Sequence, residues 1–269
     1  MPFFKACGVY PARELLRNRN LVIASVLMLG RLLKHPAAIA PRMVRVSSAA
    51  RMMSQDAGTL TYFAMLRSRG EVPQLIAAYG GVKMEVEKIG FDVWGERKGK
   101  VAPHLPYITN PDGSVMIDTC PICKHLATLG GKFVVDAKQD ELIEIANGPP
   151  IQLADPVYNL PDQGASFGVP PIEEWKKAAA EVLKDYAAKL GDGPFFAGET
   201  PGYAEAFVFH NLDNCFAIDK AGFTDLVGQE DMAKLQVFYD KFAALDGVKE
   251  YLGARPTVWG MPGSFAQPA

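Results

Sequence analysis

Cysteine is scarce: Cys7, Cys120, Cys123 and Cys215 are the only four in 269 residues. That excludes a disulfide framework for a chain this long and makes a reducing compartment the default expectation. Net charge is nearly absent, at −2, so there is no global electrostatic reason to expect nucleic acid. No apolar run reaches membrane-spanning length. Leu21–Leu29 is almost wholly apolar but falls well short of the roughly 20 residues a span needs. Internal repeats and low-complexity tracts are also missing.

Acids are nearly missing from the first 53 residues, where nine Lys or Arg face the single Glu14 and leave the head at +8 and the remainder at −10. Arg-rich, Ser-containing and acid-poor is the composition of an organelle transit segment, for a mitochondrion or a plastid. A retained interfacial anchor or a plain extension are the other readings, with a cytoplasmic location if the head is not a transit peptide. The length suits two modest domains beyond this head, and 49% hydrophobic residues allow a sizeable core.

The pattern after the head starts with Thr59–Phe63, TLTYF, as a strand that ends near Tyr62. Val72, Leu75, Ile76 and Tyr79 then recur at helical spacing, and Val82–Ile89 alternates as a strand. Residues 90–104 read as a Gly- and Lys-rich loop. Leu105–Thr109 and Ser114–Ile117 are short strands around Asn110-Pro111-Asp112-Gly113, a turn signal in which Pro presets one φ and Gly accepts a positive one. Thr119 is a candidate cap for a helix through Ile122, Leu126 and Leu129.

Beyond Phe133 the expected elements are helical, over Asp136–Ala146, Glu173–Leu190, Tyr203–Ile218 and a long stretch Asp231–Leu252, with Gly148–Pro171 irregular. The fold class is therefore an α/β thioredoxin-like N-terminal domain followed by an all-α C-terminal domain. The boundaries are an extension over 1–57, the α/β domain over 58–131 and the helical domain over 132–269.

TLTYF, RSRGEVPQLIAAYGGV, HLPYI, SVMIDTCPICKHLA and FFAGETPGYAEAFVF, in this order and spacing, resemble the glutathione S-transferase family, most closely its sigma-like, tyrosine-type group. The resemblance covers about Thr59 to Pro256. It implies glutathione as co-substrate, a small hydrophobic electrophile as second substrate, and a homodimer. It also implies roles for particular residues. Tyr62 is the catalytic donor to the glutathione sulfur, because a hydrogen bond to the thiolate favours the ionised form. Leu105 and Pro106 form a cis turn whose backbone pairs with the cysteinyl part, much as an added strand would. Asp118 and Thr119 stand where Gln-Ser or Glu-Ser holds the γ-glutamyl end. Trp94 and Lys98 match positions near the glycyl carboxylate, and His104, just before Leu105-Pro106, is a further candidate contact. Arg67 and Arg69 resemble the arginines after the active tyrosine, in a segment one residue longer than the family pattern. Ser68 is an alternative thiol partner of the serine type. Glu144, four residues beyond Asp140, matches an acid that reaches the neighbouring subunit's glutathione. Phe63 and Met65 are candidate walls for the electrophile.

Two motifs stand apart from this set. Cys120-Pro121-Ile122-Cys123 has disulfide-exchange spacing. It opens the last helix of the domain and not the first, so structural thiols are the favoured reading and oxidation sensitivity the secondary one. With His125 nearby it lacks a fourth zinc ligand, and no metal is expected. Gly202-Tyr203-Ala204-Glu205 occupies a capping-box position without the usual hydroxyl. Rival readings for the whole chain are a non-catalytic binding or structural protein of the same fold, and a glutathione-dependent isomerase or peroxidase.

Overall fold

The structure, a computed structural model, describes residues 55–64, 66–159 and 168–255, all within one compact unit. The basic head, Met65 and part of the Gly/Pro-rich stretch lie outside the described residues.

Strand β1 (Asp56–Phe63), helix α1 (Ser68–Gly80) and strand β2 (Lys83–Ile89) lead through α2 (Phe91–Arg97) to β3 (Tyr107–Thr109), β4 (Val115–Ile117) and α3 (Thr119–Gly130). The sheet order is β2-β1-β3-β4, with β1 parallel to β2 and antiparallel to β3, and β4 antiparallel to β3. This is the thioredoxin-like topology expected from the pattern. Leu60 and Ile108 pair across β1 and β3 and are fully buried with Val72, Leu75 and Ile76 of α1 and Ile122 and Leu126 of α3. Each such side chain contributes about 1.5–3 kcal/mol by leaving water. The β3–β4 turn closes as its residues dictate. Gly113 takes φ 83°, and the Asp112 carboxylate accepts from the Ser114 N–H at 2.9 Å.

The rest is helical: α4 (Ala137–Ala146), a 3-10 turn at Ile151–Leu153, α5 (Ala154–Asn159), α6 (Ile172–Lys189), α7 (Glu205–Val227), α8 (Gln229–Ala243) and α9 (Val248–Ala254). On α6, Trp175, Ala179, Leu183 and Tyr186 form the predicted stripe and are buried. The Asp136 side chain caps α4 by accepting from the Gln139 N–H.

Four local expectations are corrected. Residues 90–104 contain α2, because Trp94 packs into a small cluster with Ile89, Ala102 and Tyr107 and this burial outweighs two flanking glycines. Gly148–Pro171 contains α5, whose six residues are all buried; six residues are too few to show a helical period. The stretch Asp231–Leu252 is two helices, broken where Gly247 takes φ 82° against α1. Lastly, α7 runs past Ile218 to Val227 by way of a kink at Asp219.

Candidate active site at the end of the sheet

The sheet register assembles the site. Tyr107 pairs with Thr61 on one side and with Ile117 on the other. One residue beyond these pairs stand Tyr62 of β1, Pro106 just before β3 and Asp118 just after β4. Residues 44 and 12 positions apart in sequence thus meet at one end of the sheet. The Leu105-Pro106 bond there is cis, as expected.

Tyr62 is 8% exposed. Its ring lies directly on Gly70, where a Cβ would come within 2.3 Å of Cδ1; any larger residue at position 70 would displace the ring. The Ser68 hydroxyl and the Arg69 backbone N–H both reach the phenol oxygen, with the Asp155 carboxylate and the Arg69 guanidinium nearby. Burial pushes the phenol up to about 12, so at neutral pH it carries its proton and has a hydrogen to donate. Ser68 holds φ 33° at the start of α1.

Asp118 takes φ 73° and ψ 136°, a conformation that costs a non-glycine residue of the order of 1–3 kcal/mol. Such strain persists only where the surroundings fix it, and it points to a functional position. His104 Nε2 lies 2.5 Å from Asp118 Oδ1, so two expected site residues meet. Thr119 is the first residue of α3 and largely buried. The expectation that it caps α3 is corrected: Asp118 holds the N-cap position, without a side-chain cap bond. The first-turn N–H groups of α3 therefore keep their capacity for an anion.

Trp94 and Lys98 sit on α2 and at its end. Trp94 is buried edge-on to Phe63, with ring centroids 6.5 Å apart, so packing accounts for most of its surface. Lys98 is exposed. The neighbouring Arg97 is not simply solvated. It grips Glu87 of β2 with two bonds of 2.7 and 2.8 Å and so ties α2 to the sheet edge. Phe63 also packs on Phe91, at 4.6 Å, and Phe91 is 50% exposed, which leaves an aromatic ledge beside β1.

Arg67 is directed elsewhere. It is buried and pairs with Glu71 and Asp213, each at 2.9 Å; it also donates to the Asn214 side-chain oxygen and lies over the Tyr158 ring. Glu71 and Asp155 take opposite nitrogens of the buried His210, at 2.7 and 2.6 Å. Both carboxylates are held below the usual range by the surrounding cations. Ionised carboxylates only accept, so both ring nitrogens donate and His210 is an imidazolium, in line with the upward direction of its pKa. Arg255 closes the cluster on Glu71 and Asp213. The arginine beside Tyr62 is Arg69, whose Nε pairs with Asp155 at 3.0 Å. Its buried Nη1 and Nη2 have no hydrogen-bond partner among the described residues. Glu144 is exposed on α4, whereas Asp140 is held by Lys124 and Tyr203.

Asp155, Ser68 and Arg69 carry more of the site than sequence reasoning assigned to them. The i,i+4 spacing of Arg67 and Glu71 was a readable sign that Arg67 pairs along its own helix. Nothing local marked Asp155, which reaches Tyr62 only through the tertiary fold. Among the described residues, no group of three or more His, Cys, Asp or Glu side chains is placed to hold a metal, and no helix is long and apolar enough to cross a membrane.

A thioredoxin-like sheet joined to a helical half is the architecture of the glutathione S-transferases. Residues 171–255 match the family model described as glutathione S-transferase, C-terminal domain. The chain is 25% identical over 209 residues to hematopoietic prostaglandin D synthase of Gallus gallus, covering 73% of this chain and 96% of that protein. A rat hPGDS structure complexed with a quinoline superposes with a TM-score of 0.60 at 18% identity, over 75% of this chain and 98% of that one. A Pi-class glutathione S-transferase of Onchocerca volvulus gives 0.60 at 19% identity, over 73% and 92%. These findings support assignment of the chain to the glutathione S-transferase family.

Proposed function

We propose that the protein is a glutathione transferase that activates the glutathione thiol through Tyr62. The observation that carries this reading is the alignment of Tyr62, Pro106 and Asp118 across one end of the sheet. The backbone of Leu105 pairs with the extended tripeptide, Asp118 receives its ammonium, Thr119 and the start of α3 receive the γ-glutamyl carboxylate, and Trp94, Lys98 and His104 border the glycyl end. The Tyr62 phenol donates to the sulfur. Arg69 takes the role expected of Arg67, its guanidinium edge, unpaired among the described residues, adding positive charge where the thiolate forms. Phe63 and Phe91 offer an apolar wall to a hydrophobic electrophile. In a homodimer, Glu144 would face the neighbouring subunit's glutathione. The head is proposed as a transit segment; a fusion of residues 1–53 to a reporter that stays diffuse would refute that part.

A hydrogen bond to a charged group is worth about 1.5–3 kcal/mol, so Tyr62→Phe is expected to lower conjugation of an aryl halide by about ten- to a hundred-fold, with glutathione KM little changed. An unchanged kcat would remove Tyr62 from the mechanism. The match to a prostaglandin D synthase favours, as a second reading, glutathione-dependent isomerisation at the same site. A panel of electrophiles, peroxides and an endoperoxide, run on wild type and Tyr62→Phe, separates the two. Glutathione retention with no turnover on any of them would select a binding protein.

A further inference from the structure

The proposed chemistry leaves His210 unused, although it lies two contacts away from the candidate site. His210 is fully buried on α7. Its Nδ1 lies 2.7 Å from Glu71 of α1, and its Nε2 lies 2.6 Å from Oδ1 of Asp155 on α5. The Asn214 amide donates to the same Oδ1 at 2.9 Å, while Oδ2 of Asp155 pairs with Arg69 Nε at 3.0 Å. His210, Asp155 and Arg69 thus form a line of contacts that ends beside Tyr62, since the residue after Arg69 is Gly70, which underlies the tyrosine ring. In this cluster the cations Arg67, Arg69, Arg255 and His210 face the carboxylates Glu71, Asp155 and Asp213. With both ring nitrogens of His210 donating, one positive charge is in excess, and a buried charge without a partner is costly. The buried Nη1 and Nη2 of Arg69, which have no hydrogen-bond partner among the described residues, mark where that charge faces the site. Asp155 is divided between two cations, so the imidazolium draws on the carboxylate and leaves the guanidinium edge to an incoming anion. A neutral ring would turn a lone pair toward one of its two carboxylates and repel it.

We propose that His210 is a positioning residue for thiol activation: its imidazolium, acting through Asp155, keeps the guanidinium edge of Arg69 free for the anionic sulfur of bound glutathione. This role rests on the proposed placement of the sulfur beside Tyr62. Two substitutions separate the arms of the imidazolium. An asparagine amide stands in for Nδ1, so His210→Asn keeps the Glu71 bond and gives up the Asp155 bond. A glutamine amide stands in for Nε2, so His210→Gln keeps the Asp155 bond and gives up the Glu71 bond. Both remove the charge. A residue that only filled space or joined the two halves of the molecule would not distinguish the two arms at the sulfur.

The test follows the thiolate absorbance of glutathione bound to the full chain against pH. His210→Asn is expected to raise the pKa of the bound thiol by about one unit, which leaves about ten-fold less thiolate. His210→Gln is expected to raise it by less, and glutathione affinity is expected to change little in either. In an Arg69→Gln background, His210→Asn is expected to add nothing. Equal shifts in the two variants, or a shift from His210→Asn that survives without Arg69, would overturn the proposal. Superimposable curves for wild type and both variants, beside a shifted Tyr62→Phe, would overturn the role of His210 and leave thiol activation by Tyr62 standing. An unshifted Tyr62→Phe beside a shifted His210→Asn would remove the tyrosine and support His210. Should the variants fail to fold, nuclear magnetic resonance of isotope-labelled histidine in the otherwise native chain, with signals assigned by replacing the other histidines in turn, reads the charge itself. Both ring nitrogens of His210 are expected to carry protons at neutral pH, and a neutral ring would overturn the proposal.

Discussion

The phenol of Tyr62 keeps its proton because burial disfavours the phenolate, and that is the state a thiolate-stabilising donor needs. Its position depends on a residue without a side chain. A Cβ at Gly70 would sit 2.3 Å from the ring, so Gly70→Ala is expected to cut conjugation by about ten-fold or more, since misplacing a reacting group by even 1 Å can cost about a hundred-fold. Steady-state kinetics beside a circular dichroism melt check this; normal kcat in a folded variant would show that the ring has room. The place of Tyr62 near the end of β1 was legible in TLTYF. The positive φ of Asp118 was not, because no residue type in Ile117-Asp118-Thr119 announces a backbone that only the meeting of β4, α3 and His104 imposes. Nor could one sequence decide between Arg67 and Arg69, since the extra residue shifts the frame by less than a helical turn.

Among the elements, the start of α7 shows how a missing local cap is replaced from a distance. Gly202 offers no side-chain oxygen. The Gln139 amide oxygen from α4 instead accepts the Ala204 N–H at 3.2 Å, while Glu205 accepts from the Gly202 N–H at 2.9 Å. The return of Glu205 toward the cap was readable from its spacing; the role of Gln139 was not, because it lies 65 residues away. A Cβ on Gly202 would meet the Gln139 side chain at 1.9 Å. Gly202→Ser alone and Gln139→Ala alone are each expected to destabilise the protein, the second by about 1–2 kcal/mol as a lost cap. Together they are expected to destabilise it less than the sum, because the serine hydroxyl can cap once the amide is gone. Denaturant midpoints over this double-mutant cycle test the idea; strict additivity would refute it. The longer helices were legible from their apolar stripes, whereas α2 and α5 were not, because burial against neighbours and not propensity holds them.

For the molecule as a whole, the buried charges join the α/β half to the helical half: Arg67 and Glu71 of the first meet Asp155, His210, Asp213 and Arg255 of the second. Removing one partner from such a group strands the others and costs about 3–5 kcal/mol. The cluster also sets a pH dependence. His210 has its pKa raised, so its contribution is full below the unfolded value of about 6.5 and is lost as pH rises through the folded one. Glu205 is raised to about 7 by burial. Between about 4.5 and 7 the folded chain keeps a proton that the unfolded chain releases, so stability again falls as pH rises. Glu71 and Asp155 act oppositely, but only at lower pH, since both are depressed. The Tm is therefore expected to peak on the acid side of neutrality. Glu205→Gln should flatten the slope between pH 4.5 and 7. Melting curves that rise steadily from pH 5 to 8 would contradict this. That an α/β half gives way to a helical half was readable from the change of periodicity near Phe133. That charge fastens them was not, since the partners are scattered from Arg67 to Arg255.

The central claim concerns one hydrogen bond, from Tyr62 to the sulfur of bound glutathione, and the thiol's own titration reports on it most directly. The ultraviolet absorbance of the thiolate, followed against pH with glutathione bound to wild type and to Tyr62→Phe, should show the wild-type thiol ionising about one to two pH units below that of the variant, the equivalent of about 1.5–3 kcal/mol. Superimposable titrations would contradict the account.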